Sequence, residues 1–404
     1  MQFNPFEPAY RADPHPFLHA LRAAEPVHHS TLMDAWVLTR HEDVTAALKH
    51  PSLSAELSTW PKYTRYFIRQ DTDEHGAVNK ALRHWLVLLD APGHTRIRKL
   101  VSREFSPTAL ETQRPMIRAV AGKLLDCIVD GCAEVDLIDS FAAPFPVKVI
   151  ADMLGIDEQY FPRVQEWSRA LLPCFGPPMS KTDLDAANIA MTELGRLFEN
   201  IVEERQRRGG APATLIDRLI AAREQEDRLS HDELIANAVL FVFAGHMTTI
   251  QLIVNLVLAL QHSPDQCTLL RNHPDSVGAA VEETLRMASP VQLVYRVTTA
   301  PVEFGGVSVP ARSLVIASLA AANRDPAVYP DPDRFDLSRE SRHLAFGHGA
   351  HFCLGAALAR LEAGVALPLL LERFPTLGNV ATGVSRETSL MFRGVERLSI
   401  AARE

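Results

Sequence analysis

Cysteine is scarce in this 404-residue chain: Cys127, Cys132, Cys174, Cys267 and Cys353 are scattered, odd in number and form no C-x-x-C pair. Neither a disulfide framework nor a dithiol redox motif is supported, and a reducing cytoplasm is the expected compartment. Basic charge is also short. Lys and Arg total 41 against 49 Asp and Glu, a formal charge of −8, whereas a nucleic-acid partner calls for the opposite balance. Met1 to Arg22 lacks an apolar centre, so no signal peptide or membrane anchor is expected there. Length alone would allow two or three domains. With no internal repeat or low-complexity linker, one domain over residues 1–404 is the simpler expectation.

One absence points two ways. No Asp, Glu, Lys or Arg occurs between Leu234 and Pro264, a stretch longer than the roughly 20 residues that cross a bilayer. Yet Asn237, His246, Thr248, Thr249, Gln251 and Asn255 interrupt it and no basic belt flanks it. A helix apolar all round also suits the centre of a large core. With 47% hydrophobic residues available for such a core, the buried helix is preferred to a membrane span.

Local signals give a helix-rich chain with small sheets at one side, mainly α in class. Val27–Ser30 and Trp36–Thr39 read as short strands. Loops fall at Gly155 and Gly176–Pro178, and Ser230 with Glu233 forms a capping box that starts the charge-free helix. A helix from about Pro274 to Met287 ends before Pro290. Strands are expected at Gln292–Thr298, Val302–Val309 (turning at Gly305-Gly306) and Leu314–Ser318, then a last helix from Leu354 to about Arg373.

The segment Phe346-Gly347-His348-Gly349-Ala350-His351-Phe352-Cys353-Leu354-Gly355 carries the most chemistry. Two glycines let backbone turn tightly beside a flat ligand. A cysteine at the start of the following helix gains thiolate character from free N–H groups, and thiolate ligation of haem iron favours O–O cleavage. Taken alone, the same residues fit an ordinary core cysteine, or a zinc site with His343, His348 and His351.

Extended by Leu358-Ala359-Arg360, this segment resembles the haem-binding signature of the cytochrome P450 family, F-G-x-G-x-H-x-C-x-G. The likeness runs from Pro26-Val27 and Trp36-Val37 to Phe392-Arg393-Gly394, nearly the whole chain. It implies a haem b on Cys353, with Phe346, Gly347 and Gly355 shaping the loop, between a long central helix and the cysteine-loop helix. Glu283, Arg286 and Arg334 match a buried ion triad that braces the loop. His94, Arg98, Arg296 and His351 match the groups that hold the haem propionates. Ala244-Gly245-His246-Met247-Thr248 resembles the oxygen-binding groove A-G-x-(D/E)-T, with Thr248 steadying oxygen and relaying protons. Met247 departs from it: a thioether stands where the family has an acid, which puts ordinary proton delivery in doubt.

The resemblance further implies an apolar substrate wall from Leu240, Phe243, Val291, Leu293, Leu390 and Met391. An aromatic and basic lid with Trp60, Lys62, Tyr63, Arg65, Tyr66 and Arg69 would precede it. The expected reaction is monooxygenation of a hydrophobic small molecule by O2. With no flavin or nicotinamide module on the chain, electrons are expected from a separate ferredoxin and its reductase, docking near Arg96, Lys99, Arg103 and Arg342. Two alternatives stand beside it: a peroxide-driven or non-oxygenating haem-thiolate enzyme, motivated by Met247, and a haem-binding protein without turnover.

Overall fold

Ser230 and Glu233 form the reciprocal cap expected of them, and it opens a helix over His231–Gln261, called the central helix below. The computed structural model, which describes residues 3–63, 76–128, 135–176, 179–209, 214–222, 229–374, 377 and 389–400, buries most of this helix among other helices. Its polar residues are anchors. Asn237 accepts a hydrogen bond from the Leu86 amide at 3.0 Å and donates to the His84 carbonyl at 2.8 Å. Gln251 accepts from the Val395 amide, and Asn255 donates to the Ala288 carbonyl, each at 2.8 Å. Each bond ties the helix to a distant segment and removes the roughly 1–3 kcal/mol cost of an unsatisfied buried group.

Around the central helix pack helices at Pro144–Leu154, Phe161–Leu171, Lys181–Arg208, Val277–Met287 and Ala356–Arg373. The last of these, the cysteine helix, begins two residues later than the sequence suggests, because Gly355 occupies its N-cap. Gly245 lies close against the Pro144–Leu154 helix, where an added Cβ would stand 2.7 Å from Ile150. The small residue is therefore fixed partly by helix crossing.

The strands, in chain order, are β1 (Val27–Ser30), β2 (Ala35–Leu38), β3 (Leu53–Ser54), β4 (Val135–Asp136), β5 (Leu293–Thr298), β6 (Val302–Phe304), β7 (Val307–Val309), β8 (Leu314–Ser318) and β9 (Ser399–Ile400). The main sheet has the order β1-β2-β8-β5-β3. Within it β2 and β8 run parallel, with Ala35 opposite Leu314, and the other pairings are antiparallel. Gly305 and Gly306 both have positive φ, 53° and 78°, as a two-residue hairpin between β6 and β7 requires. Apolar clusters cover both faces of the sheet, which is why β8 is buried at every position. The fold is mainly α with small β-sheets, as the sequence implies.

Candidate active site

The cysteine loop is held by backbone geometry first. Gly347 and Gly349 adopt φ of 69° and 71°, and a Cβ on Gly349 would lie 2.8 Å from the Leu48 carbonyl oxygen. The Gly347 amide donates to the Leu344 carbonyl, and the Cys353 amide to the Phe346 carbonyl, each at 2.8 Å. The Leu344 amide donates to Asn323 Oδ1 at 2.6 Å. Cys353 lies deep in the chain, yet its surface faces a cavity of about 310 Å³.

Burial pushes the Cys353 thiol up, against the Gly355 amide and the charges of Arg98 and Arg360, which pull it down. The helix-start stabilisation expected from sequence thus amounts to one N–H, and the surroundings alone leave the thiol protonated. A coordinated metal cation is what deprotonates such a group. Zinc would need three or four such ligands gathered together. Among the described residues no three His, Cys, Asp or Glu side chains gather to hold a metal. His343 bonds Glu282, and His351 lies against His94 with ring centroids 4.1 Å apart.

Besides His348, four cation-forming side chains border the same cavity: His94 and Arg98 from the helix Gly93–Val101, Arg296 from β5, and His351 from the loop. His94 and Arg296 are buried, and His94 Nε2 has no hydrogen-bond partner. Arg98 Nη2 donates to the Phe352 carbonyl at 2.6 Å. Burial, then Arg296, His94 and Arg98, pushes His351 down to about 3, and burial takes Arg296 down to about 10 against the pull of Asp90. A cluster of groups able to carry like charge, two of them buried and one with an unpaired ring nitrogen, is a site for an anionic group, whose charge would offset their mutual repulsion. The four residues fit a carboxylate-bearing flat cofactor, the propionates of haem included.

Another wall comes from the central helix, where Ala244, Gly245 and Thr248 line the cavity with Leu240 and Phe243. Thr248 Oγ1 donates to the Ala244 carbonyl at 3.3 Å. Met247 does not reach this space. It is buried on another side of the helix, in a cleft bordered by Arg169, Asp139 and Gln251. Val291 and Met391 line the cavity as expected, but Leu293 and Leu390 do not. The two-residue alternation of β5 sends Leu293 to the opposite face of the sheet, against Val37 and Ile316, and leaves Val294 facing the cavity. Leu390 borders the Met247 cleft instead. Of the lid residues, Trp60 is buried in the cluster beyond the sheet, and Arg65, Tyr66 and Arg69 lie outside the described residues.

The bracing triad is present with one member changed. Glu283 takes two bonds from Arg286, at 2.7 and 2.8 Å, and both residues are fully buried. Its third partner is Arg339, whose Nε lies 3.1 Å from Glu283 Oε1. The Arg334 side chain is exposed, and only its carbonyl takes part, accepting from Arg286 Nη2 at 3.2 Å. The loop after Asp331, which has φ of 54°, turns Arg334 outward and brings Arg339 back over the acid.

Sequence reasoning also missed a group of stacked rings. Phe175 lies parallel to Phe243 at 4.9 Å, Trp85 stacks on Phe175 at 5.4 Å, and Phe392 meets Phe175 edge-on at 5.4 Å. These residues come from four remote segments, and no spacing in the sequence links them.

The family model for cytochrome P450 matches residues 272–389. Cytochrome P450 107B1 of Saccharopolyspora erythraea is 40% identical over 405 residues, covering 98% of this chain and 96% of that protein. Vitamin D(3) 25-hydroxylase of Pseudonocardia autotrophica is 39% identical, over 99% and 96% of the two chains. The solved structure of myxobacterial cytochrome P450 CYP267B1 in complex with myristic acid superposes with a TM-score of 0.89 at 35% identity, over 99% of each chain. Identity at this level along essentially the full length settles the family: the chain belongs to the cytochrome P450 family of haem-thiolate oxidoreductases and is a monooxygenase, its kind acting on hydrophobic substrates with O2.

Proposed function

We propose that Cys353 ligates the iron of haem b, that His94, Arg98, Arg296 and His351 hold its propionates, and that residues 1–404 work as one catalytic domain. The reaction is insertion of one oxygen atom from O2 into a hydrophobic small molecule. The observation that carries this reading is a single cavity in which Cys353, the Thr248 hydroxyl and the four-residue cationic edge meet. Bound haem supplies reductive activation of O2, its thiolate ligand donating electron density. Thr248 contributes a hydroxyl whose long bond to the Ala244 carbonyl is readily exchanged, so it can steady O2 and pass on a proton. Apart from the cysteine and the propionate set, the polar side chains lining the cavity are few, chiefly those of Thr248, Thr249 and His348. Leu240, Phe243, Phe175, Val291, Met391 and Phe392 make the rest an apolar, aromatic surface that selects a hydrophobic substrate. Electrons come from a separate ferredoxin and reductase docking near Arg96, Lys99, Arg103 and Arg342, of which Arg96 also pairs with Glu233 and Arg342 with Glu340. A cytoplasmic setting suits the free thiols of Cys127, Cys174 and Cys267.

Met247 favours a second reading, a peroxide-driven or non-oxygenating reaction, because the family's acid is missing from the helix beside Thr248. Difference spectroscopy and turnover separate these. Reduced protein with carbon monoxide should show the strongly red-shifted Soret band of thiolate ligation; Cys353→His should abolish it and Cys127→Ser should not. Product that requires O2, NADPH and a ferredoxin system supports the first reading. Product formed equally well from hydrogen peroxide alone supports the second.

A further inference from the structure

Beneath the cysteine loop lies a charged network that belongs neither to the bracing triad nor to the propionate cage. Glu282 points away from its neighbour Glu283 and grips Arg360 of the cysteine helix with both oxygens, Nε–Oε1 at 2.7 Å and Nη2–Oε2 at 2.8 Å. His343, whose side chain is 2% exposed, bonds the same carboxylate at 3.2 Å. The Arg360 guanidinium, held in this fork, lies 4.5 Å from the centroid of the Phe346 ring. Phe346 in turn accepts the Cys353 amide at 2.8 Å, and its ring meets Phe352 edge-on at 6.2 Å. A chain of contacts therefore runs from a carboxylate through a fixed cation and an aromatic ring to the backbone of the cysteine. Burial would raise Glu282, but the bonds from Arg360 and His343 outweigh it and hold the carboxyl down at about 2. Glu282 thus stays charged and keeps Arg360 in place.

We propose that Arg360, fixed by Glu282, is a positioning residue for Cys353: it clamps Phe346 under the loop, and its charge sets how readily the haem held by that cysteine accepts an electron. The inference rests on Cys353 being the haem ligand, as proposed above. A cation near the iron favours the added electron, and a carboxylate beside that cation offsets it. The two residues therefore act with opposite sign, which a purely structural brace would not.

The test is a spectroelectrochemical titration of the purified haem-loaded protein and its variants, with haem retention on heating measured alongside. Arg360→Met should move the midpoint potential downward, by up to about tenfold in the reduction equilibrium, roughly 59 mV for one electron. Arg360→Lys, which keeps the charge but loses the fork, should move it less. Glu282→Gln should move it upward. Shifts of the same sign in Arg360→Met and Glu282→Gln, or no shift in either, overturn the proposal while the wild-type carbon monoxide spectrum still supports Cys353 as ligand. If Arg360→Met fails to retain haem, Glu282→Gln and Arg360→Lys decide: an upward shift in the first with none upward in the second sustains the proposal, and any other pair of shifts overturns it. A wild-type protein without the thiolate spectrum removes the Cys353 assignment, and the proposal falls with it.

Discussion

Exchanging Arg334 for Arg339 in the bracing triad gives a direct test of the site's energetics. Glu283 accepts from Arg286 twice, from Arg339 and from the Asp336 amide at 3.1 Å. Arg286, fully buried, also donates to the carbonyls of Asn323 and Pro332 at 2.9 and 2.7 Å. Glu283→Gln preserves shape but leaves that buried cation without its counter-charge, which costs about 3–5 kcal/mol. With an unfolding entropy near 2.1 cal/mol/K per residue and 404 residues, the expected fall in Tm is about 4–6 °C. Arg339 is slightly more exposed, and Glu283 keeps Arg286 when it is lost, so Arg339→Ala should cost about 1.5–3 kcal/mol, the range of a charged hydrogen bond. Arg334→Ala removes an exposed side chain and should stay within about 0.5 kcal/mol. Thermal melting monitored by circular dichroism, with haem content read by absorbance, checks all three. Arg334→Ala proving more damaging than Arg339→Ala would refute the assignment, and full stability of Glu283→Gln would refute the buried-charge argument itself.

Glu362 in the cysteine helix is fully buried with neither oxygen bonded, and burial raises its carboxyl well above the ordinary range. Its contribution is complete below about pH 4.5 and is lost as pH rises toward the raised value, by about 1.4 kcal/mol per pH unit. Glu362→Gln should therefore flatten the pH dependence of Tm and stabilise the protein at pH 8 more than at pH 5; parallel profiles would count against it. Met247→Glu should raise product formed per NADPH if O2 activation is limited by proton supply, since general acid assistance is worth about 10²–10⁴-fold. Unchanged or lower coupling there, together with little loss in Thr248→Ala, would favour the peroxide-driven alternative. Gly349→Ala should destabilise by more than about 1–2 kcal/mol, the cost of a left-handed L residue, because its Cβ also meets the Leu48 carbonyl. Gly278→Ala, in a helix with open space around it, should gain roughly 0.5–1 kcal/mol. Equal melting temperatures for the two alanine variants would defeat that contrast.

What the sequence made legible was local or carried by a dense motif. The Ser230–Glu233 cap, the Gly305-Gly306 turn and the left-handed glycines of the cysteine loop are each specified by a few neighbouring residues, and each is found in place. The gathering of His94, Arg98, Arg296 and His351 was accessible only through family likeness, because nothing in their spacing unites a helix, a strand and a loop. Tertiary geometry decided the rest. Strand alternation turned Leu293 away, loop curvature replaced Arg334 by Arg339, and helix rotation placed Met247 outside the cavity. The rings of Trp85, Phe175, Phe243 and Phe392 meet through packing of four segments, for which a linear pattern has no period.

The parallel pairing of β2 with β8 has a consequence for how the chain is made. Ala35 finds Leu314, and the cavity walls draw on His94, Phe243, Val294, Cys353 and Phe392, so its enclosure waits until Phe392 has left the ribosome. Closing such long loops before their contacts form is slow, and meanwhile the apolar faces of the central helix stand open to other chains. Cofactor capture that needs the whole cavity then comes late and competes with aggregation. Yield in a cell is expected to follow haem supply and growth temperature more closely than the rate of translation.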